Sequence, residues 1–146
     1  MKALLQRVSE ASVSVGGEII SSINRGYVVL LGVGEGDTEE RAEKMAEKIK
    51  KLRIFPDENG KINLSIGDID GEVLIISQFT LYADCQKGNR PSFTGAGGPA
   101  LAEALYEYFI KISEGKFKKV GRGVFGANMQ VSLVNDGPFT VMLDIL

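Results

Sequence analysis

The run Ser77-Gln78-Phe79-Thr80-Leu81-Tyr82 sets hydroxyl and amide groups directly behind four apolar residues, Val73-Leu74-Ile75-Ile76. A polar stretch at the end of a buried strand is where a rigid scaffold usually carries function. Ser77 and Thr80 can act as nucleophiles when a neighbouring base takes the hydroxyl proton. The chain has no histidine, so that base would have to be Lys87, a carboxylate or an ordered water. A second chemistry is open to the same loop. The backbone N–H groups of Phe79 and Thr80 can hold a carbonyl oxygen while the side chains only shape the loop. Simple polar satisfaction of a strand end accounts equally for these residue types.

A second polar interruption, Asn135-Asp136-Gly137-Pro138-Phe139-Thr140, lies between two apolar runs. By composition it predicts a tight hairpin turn with a trans Gly-Pro bond. Residues 84–95 form a long polar loop whose Lys87 and Arg90 can meet phosphate or simply solvent. A further basic cluster, Lys116, Lys118, Lys119 and Arg122, reads as a solvated face or a second phosphate contact. Cys85 is the only cysteine; with no histidine to activate it, it reads as incidental. Gly32-Val33-Gly34-Glu35-Gly36 sits where a dinucleotide loop would. The carboxylates that follow, in Asp37-Thr38-Glu39-Glu40, would repel a pyrophosphate, and the glycine spacing misses the full fingerprint. A plain turn is the expectation.

These residues need a scaffold. At 146 residues the chain reads as a single domain over 1–146, large enough for a real core. Its net charge of −2 argues against a broad non-specific grip on nucleic acid. One cysteine and no histidine remove the usual zinc sites, so no metal is expected; no cofactor is expected either. They also exclude an internal disulfide, as in a reducing compartment. The apolar stretch near Met1 is too short for a signal peptide or a membrane span. A cytoplasmic location follows as the expectation.

Ala11-Ser12-Val13-Ser14-Val15 alternates with the period of a half-buried strand. Gly16-Gly17 turns it into a second strand from Glu18 to Ile23. Tyr27-Val28-Val29-Leu30-Leu31-Gly32-Val33 is continuously apolar and should be central, covered on both faces. Asp37, with Glu40 three residues on, predicts the cap of a first helix. Ala42, Met45, Ala46, Ile49 and Leu52 form its apolar stripe. Arg53-Ile54-Phe55 reads as a short strand, and Glu72 to Phe79 as another buried one. Pro99 opens a second helix, with Leu101, Leu105, Tyr108, Phe109 and Ile112 expected on its buried face and Gly115 as its stop. Met129 to Leu146 predicts two strands around Asn135-Asp136-Gly137-Pro138. Strands outnumber helices and the turns are short. The expected fold is α+β, a mainly antiparallel, barrel-like sheet with two helices packed on it.

The chain resembles the D-aminoacyl-tRNA deacylases nearly end to end. The resemblance is carried by Leu5-Gln6-Arg7-Val8 and Ala11-Ser12-Val13, by Arg53-Ile54-Phe55, and by Ser77-Gln78-Phe79-Thr80-Leu81. It continues in Arg90-Pro91-Ser92-Phe93 and Met129-Gln130-Val131-Ser132-Leu133 and closes with Asn135-Asp136-Gly137-Pro138. Phe139 is the one departure, at a place where many relatives carry a smaller apolar residue.

The resemblance implies a homodimeric cytoplasmic enzyme that hydrolyses the ester between tRNA and a D-amino acid, or glycine. Ser77, Gln78, Phe79 and Thr80 would form the catalytic loop. Gly137 and Pro138, joined by a cis peptide, would reach into the partner subunit's pocket and present carbonyls that collide with an L side chain. Arg7 matches the family residue that steadies this turn, with Asn135 in support. Lys87 and Arg90 are the candidates for contact with the tRNA acceptor end; neither DNA nor a membrane is an expected partner. The 2′-hydroxyl of the terminal ribose would help activate water; covalent attack by Thr80 ranks second. Two other readings use the same residues: a hydrolase of small amides or esters with a Thr80 nucleophile, and a non-catalytic homodimeric RNA-binding module.

Overall fold

The apolar run after Gly26 alternates its side chains between two separate cores, which is why it carries no polar face. The computed structural model describes residues Met1–Leu146. Its strands are β1 (Lys2–Val15), β2 (Glu18–Ile23) and β3 (Gly26–Gly32), then α1 (Glu39–Lys51), β4 (Arg53–Pro56), β5 (Ile62–Ser65) and β6 (Glu72–Ser77). A single 3-10 turn, Phe79–Tyr82, precedes α2 (Pro99–Glu114), β7 (Val120–Arg122) and β8 (Gln130–Asp144). Tyr27, Val29 and Leu31 of β3, with Val73 and Ile75 of β6, pack under α1 and α2. Val28, Leu74 and Ile76 face the other way, onto Val8, Ala11, Val13 and Ile23. Fully burying such an aliphatic side chain is worth roughly 1.5–3 kcal/mol, so both faces of β3 and β6 contribute to stability.

The sheet runs β2-β1-β3-β6-β7, and β8 pairs with β1. It curls far enough for the Arg122 N–H of β7 to reach Ser21 Oγ on β2 at 3.2 Å, which makes it barrel-like. The α+β class with two helices is as expected. The pairing is more mixed than expected: β3–β6 and β6–β7 are parallel. Each of those pairs is joined through a helix, the crossover that parallel strands require.

Three local expectations are corrected. Asp37 does not cap α1. Thr38 is the cap, its hydroxyl accepting from the Arg41 N–H at 3.3 Å. Asp37 is buried instead, accepting from the α-amino group of Met1 at 2.8 Å, from Arg41 Nη1 at 3.0 Å and from the Gly34 N–H at 2.6 Å. On α2 the buried residues are Ala102, Leu105, Tyr106, Phe109, Ile110 and Ser113; Leu101 is exposed, and Tyr108 and Ile112 lie at the margin. Gly115 ends that helix as expected, with φ −85.

The third correction matters most. Residues 130–144 are one strand and not a hairpin. β8 runs antiparallel to β1 along its whole length, with Gln6 opposite Thr140 and Val8 opposite Asn135. Asp136, Gly137, Pro138 and Phe139 therefore bulge out opposite Arg7 alone. The Gly137-Pro138 bond within the bulge is cis, where composition by itself predicts trans.

Candidate active site

The 77–80 loop begins where β6 stops. The parallel ladder with β3 ends at Leu31 and Ser77, and the Gln78 N–H still donates to the Leu31 carbonyl at 2.8 Å. The chain then tightens into the 3-10 turn. Phe79 and Thr80 open that turn, so their N–H groups have no partner inside it. Ser77, Gln78 and Phe79 line a cavity of about 660 Å³, together with Phe93, Pro99, Phe125, Met129 and Val131. No ionisable side chain lines it. Its walls are mostly apolar, and its size suits a small-molecule group or a nucleotide end.

Thr80 is exposed and does not line this cavity. Its Oγ1 accepts a hydrogen bond from Gln78 Nε2. The hydroxyl makes no hydrogen bond to a carboxylate or an amine that could take its proton, the arrangement an activated nucleophile needs. Phe79 is half exposed and packs edge-on against Phe93, ring centroids 5.0 Å apart. This contact ties residues 84–95 to the site. That loop closes on itself through paired hydrogen bonds between Asp84 and Ser92, at 2.7 and 2.8 Å. Lys87 and Arg90, exposed on it, pair with no carboxylate.

The other basic cluster divides. Lys116 pairs with Glu47 at 2.6 Å, and Arg122 grips Glu107 through both Nη atoms. These cations hold the Glu47 and Glu107 carboxyls below their ordinary range. Lys118 and Lys119 stay free, but the Lys119 carbonyl bonds to Val73 at the start of β6, the end opposite Ser77. The glycine loop after β3 is a plain turn: the Gly34 N–H that a phosphate would need is occupied by Asp37.

Arg7 and the Gly137-Pro138 bulge form a second constellation. The Arg7 side chain is nearly buried; Nε donates to the Asp136 carbonyl at 2.9 Å and Nη1 to the Ile54 carbonyl at 2.7 Å. Asn135 closes the bulge from within. Its Oδ1 accepts from the Phe139 N–H at 2.7 Å, and its Nδ2 donates to Thr140 Oγ1 at 2.9 Å. Gly137 has φ +137, and a Cβ there would stand 3.0 Å from both Arg7 Nη2 and the Phe139 nitrogen. Gly137 and Pro138 themselves are exposed and line no part of this chain's cavity. The structure thus brings Ser77, Gln78 and Phe79 to one cavity, and Arg7 and Asn135 to the bulge, as two separate groups.

Sequence reasoning missed the cavity's far wall, residues 123–129. Gly123, Gly126 and the preceding Gly121 were its available signal. The wall is seated by Tyr106, whose buried hydroxyl donates to the Ile75 carbonyl at 2.8 Å and lies 3.4 Å from the Gly123 carbonyl.

A small α+β domain, its apolar cavity at the carboxyl ends of its parallel strands and a conformationally fixed bulge on an edge strand, is the class of protein in hand. A protein-family model described as D-Tyr-tRNA(Tyr) deacylase matches residues 4–144, and the chain belongs to that family. It is 55% identical over 144 residues to the D-aminoacyl-tRNA deacylase of Thermotoga petrophila, covering 99% of this chain and 97% of that one. The same enzyme of Magnetococcus marinus is 55% identical over 146 residues, with the same coverage. A solved structure named c-Myc DNA Unwinding Element Binding Protein superposes with a TM-score of 0.95 at 45% identity, covering 100% of this chain and 99% of that one. A probable eukaryotic D-amino acid tRNA deacylase, 19% identical with a TM-score of 0.84 over 99% of this chain and 98% of its own, shares the fold.

Proposed function

We propose that this chain hydrolyses the ester that joins a D-amino acid, or glycine, to the terminal ribose of tRNA, and leaves L-aminoacyl-tRNA intact. The reading is supported by membership, over residues 4–144, in a family whose curated relatives are named D-aminoacyl-tRNA deacylases. In the reaction a water oxygen bonds to the ester carbonyl carbon and the bond to the ribose oxygen breaks. That oxygen leaves as a hydroxyl, taking one proton of the water; the second passes to solvent as the amino acid is released as its carboxylate. The N–H groups of Phe79 and Thr80 hold the carbonyl oxygen as negative charge develops on it.

The uncharged cavity supports a substrate that brings its own catalytic group. The ribose 2′-hydroxyl sits beside the ester and assists the attacking water. An activated aminoacyl ester asks little more of the protein. Thr80 as a covalent nucleophile is the weaker reading, since Thr80 lies off the cavity wall and Gln78 already bonds to its oxygen.

The active unit in this proposal is a homodimer working in the cytoplasm. Gly137 and Pro138 are exposed on an edge strand and line none of their own chain's cavity. They select by entering the cavity of a second copy, where backbone carbonyls meet any L side chain on the substrate's α-carbon. A hydrogen or a D side chain passes. Selection by collision explains why many D-amino acids can share one site. Lys87 and Arg90, unpaired on the loop whose Phe93 lines the cavity, meet phosphates of the acceptor end.

The deciding experiment is single-turnover deacylation of D-Tyr-tRNA and L-Tyr-tRNA side by side, with glycyl-tRNA as a third substrate. Release of amino acid from the D and glycyl esters alone is expected. Equal rates for D and L would refute stereoselection. Binding without release would assign an RNA-binding module.

A further inference from the structure

We propose that Phe139 determines how strictly the site rejects L-aminoacyl esters, by fixing the Arg7 guanidinium beneath the Gly137-Pro138 bulge. The inference rests on the functional reading above and assigns a positioning role to one more residue of the same site.

Two hydrogen bonds hold Arg7, from Nε to Asp136 and from Nη1 to Ile54. Both lie along N–H directions in the guanidinium plane. They fix the group within that plane but restrain its tilt out of plane only weakly. The Phe139 ring supplies that restraint, its centroid 4.8 Å from Arg7 Cζ. A guanidinium withdrawn from water gains most from such a contact, and Arg7 is 8% exposed. The nearest carboxylate oxygen, on the half-exposed Asp136, is 3.9 Å away. The ring and the two carbonyls therefore share the work of stabilising the cation.

The same residue closes the bulge through its backbone, since the Phe139 N–H is bonded to Asn135 Oδ1. Arg7 Nη2 in turn abuts Gly137 so closely that a Cβ there would stand 3.0 Å away. Tilting the guanidinium moves the Asp136 carbonyl it holds and opens space under Gly137. A flat aromatic face at 139 blocks that tilt, whereas an aliphatic side chain of similar volume fills the space without attracting the cation.

The test compares Phe139→Leu with Phe139→Tyr, which keeps the ring face. In Phe139→Leu, hydrolysis of L-Tyr-tRNA should rise about fivefold while that of D-Tyr-tRNA stays within about twofold. Fivefold corresponds to about 1 kcal/mol at 1.4 kcal/mol per factor of ten, the size of one such contact. Exchange of the Arg7 Nε–H, followed by NMR, should quicken about tenfold as its bond to Asp136 opens more often. Phe139→Tyr should restore both. An unchanged D-to-L ratio in a folded Phe139→Leu enzyme would overturn the proposal, as would equal loss on both substrates. If the unaltered protein itself fails to distinguish D from L, the functional reading falls. The exchange measurement then decides the positioning role alone, and unchanged exchange in Phe139→Leu rejects it.

Discussion

Arg7 and Asp136 lie 129 positions apart in sequence, yet the Arg7 Nε–H donates to the Asp136 carbonyl at 2.9 Å. That bond turns four unpaired residues of β8 into a bulge of fixed shape. It joins the first strand of the chain to the last at the point where the proposed selector leaves the sheet.

Replacing Arg7 should therefore cost selectivity more than catalysis. Arg7→Ala frees the Asp136 carbonyl and leaves the Ile54 carbonyl, buried beneath it, without a donor. The expected loss of stability is about 3–6 kcal/mol, the sum of two charge-assisted bonds at about 1.5–3 kcal/mol each. Arg7→Lys keeps a cation but not the fork and should lose about half as much. In Arg7→Lys, L-aminoacyl-tRNA hydrolysis should rise more than D-aminoacyl-tRNA hydrolysis falls. Denaturant unfolding and single-turnover rates measure the two effects, and a D-specific loss alone would remove Arg7 from selection.

Thr80 should matter less than the ribose. Thr80→Ala leaves the backbone N–H groups in place and should retain activity within about tenfold of the unaltered enzyme, a smaller effect than losing a reacting group. D-Tyr-tRNA ending in 2′-deoxyadenosine should lose most of its reactivity. Complete loss in Thr80→Ala, with fold and tRNA binding preserved, would restore the hydroxyl as nucleophile.

Activity should depend on concentration. A monomer holds a cavity and a Gly137-Pro138 bulge but does not bring them together. Dilution below the dimer dissociation constant should abolish stereoselective deacylation. Sedimentation and rate measured on the same samples make the comparison, and a fully active monomer would contradict the two-subunit site.

Alkaline stability offers a separate check on the cavity's far wall. Burial pushes the Tyr106 phenol up to about 12, with Arg122 opposing the shift. In the unfolded chain a tyrosine ionises near 10. Its contribution is therefore fully present below pH 10 and is lost between pH 10 and about 12, as the unfolded state releases its proton first. The slope is about 1.4 kcal/mol per pH unit for each such tyrosine. Burial raises Tyr27 too, so Tyr106→Phe should make the alkaline decline shallower without removing it. At neutral pH the same variant should be about 1 kcal/mol less stable, from the lost bond to Ile75. Melting temperature against pH tests both, and identical slopes would show that Tyr106 is not the group titrating.

Sequence alone determined the elements whose signal is local. The runs at Tyr27 and Val73 have no polar face because two cores cover them, and such a pattern is visible residue by residue. Thr38, beside the expected cap Asp37, shows the limit of that logic: either side chain can cap a helix. Only the fold withdrew Asp37, by bringing Met1 and Gly34 to its carboxylate. On α2 the apolar residues cover more than one face, and the sheet beneath chose Ala102, Tyr106 and Ile110 over Leu101. By composition Gly137-Pro138 predicts a hairpin turn. Tertiary structure made it a bulge because β8 has a single partner, β1, which runs straight past the interruption on both sides. That pairing joins residues more than a hundred positions apart, and no local periodicity encodes it. The cavity is tertiary for the same reason: it exists only where a strand end, a loop, a helix start and the 123–129 wall meet.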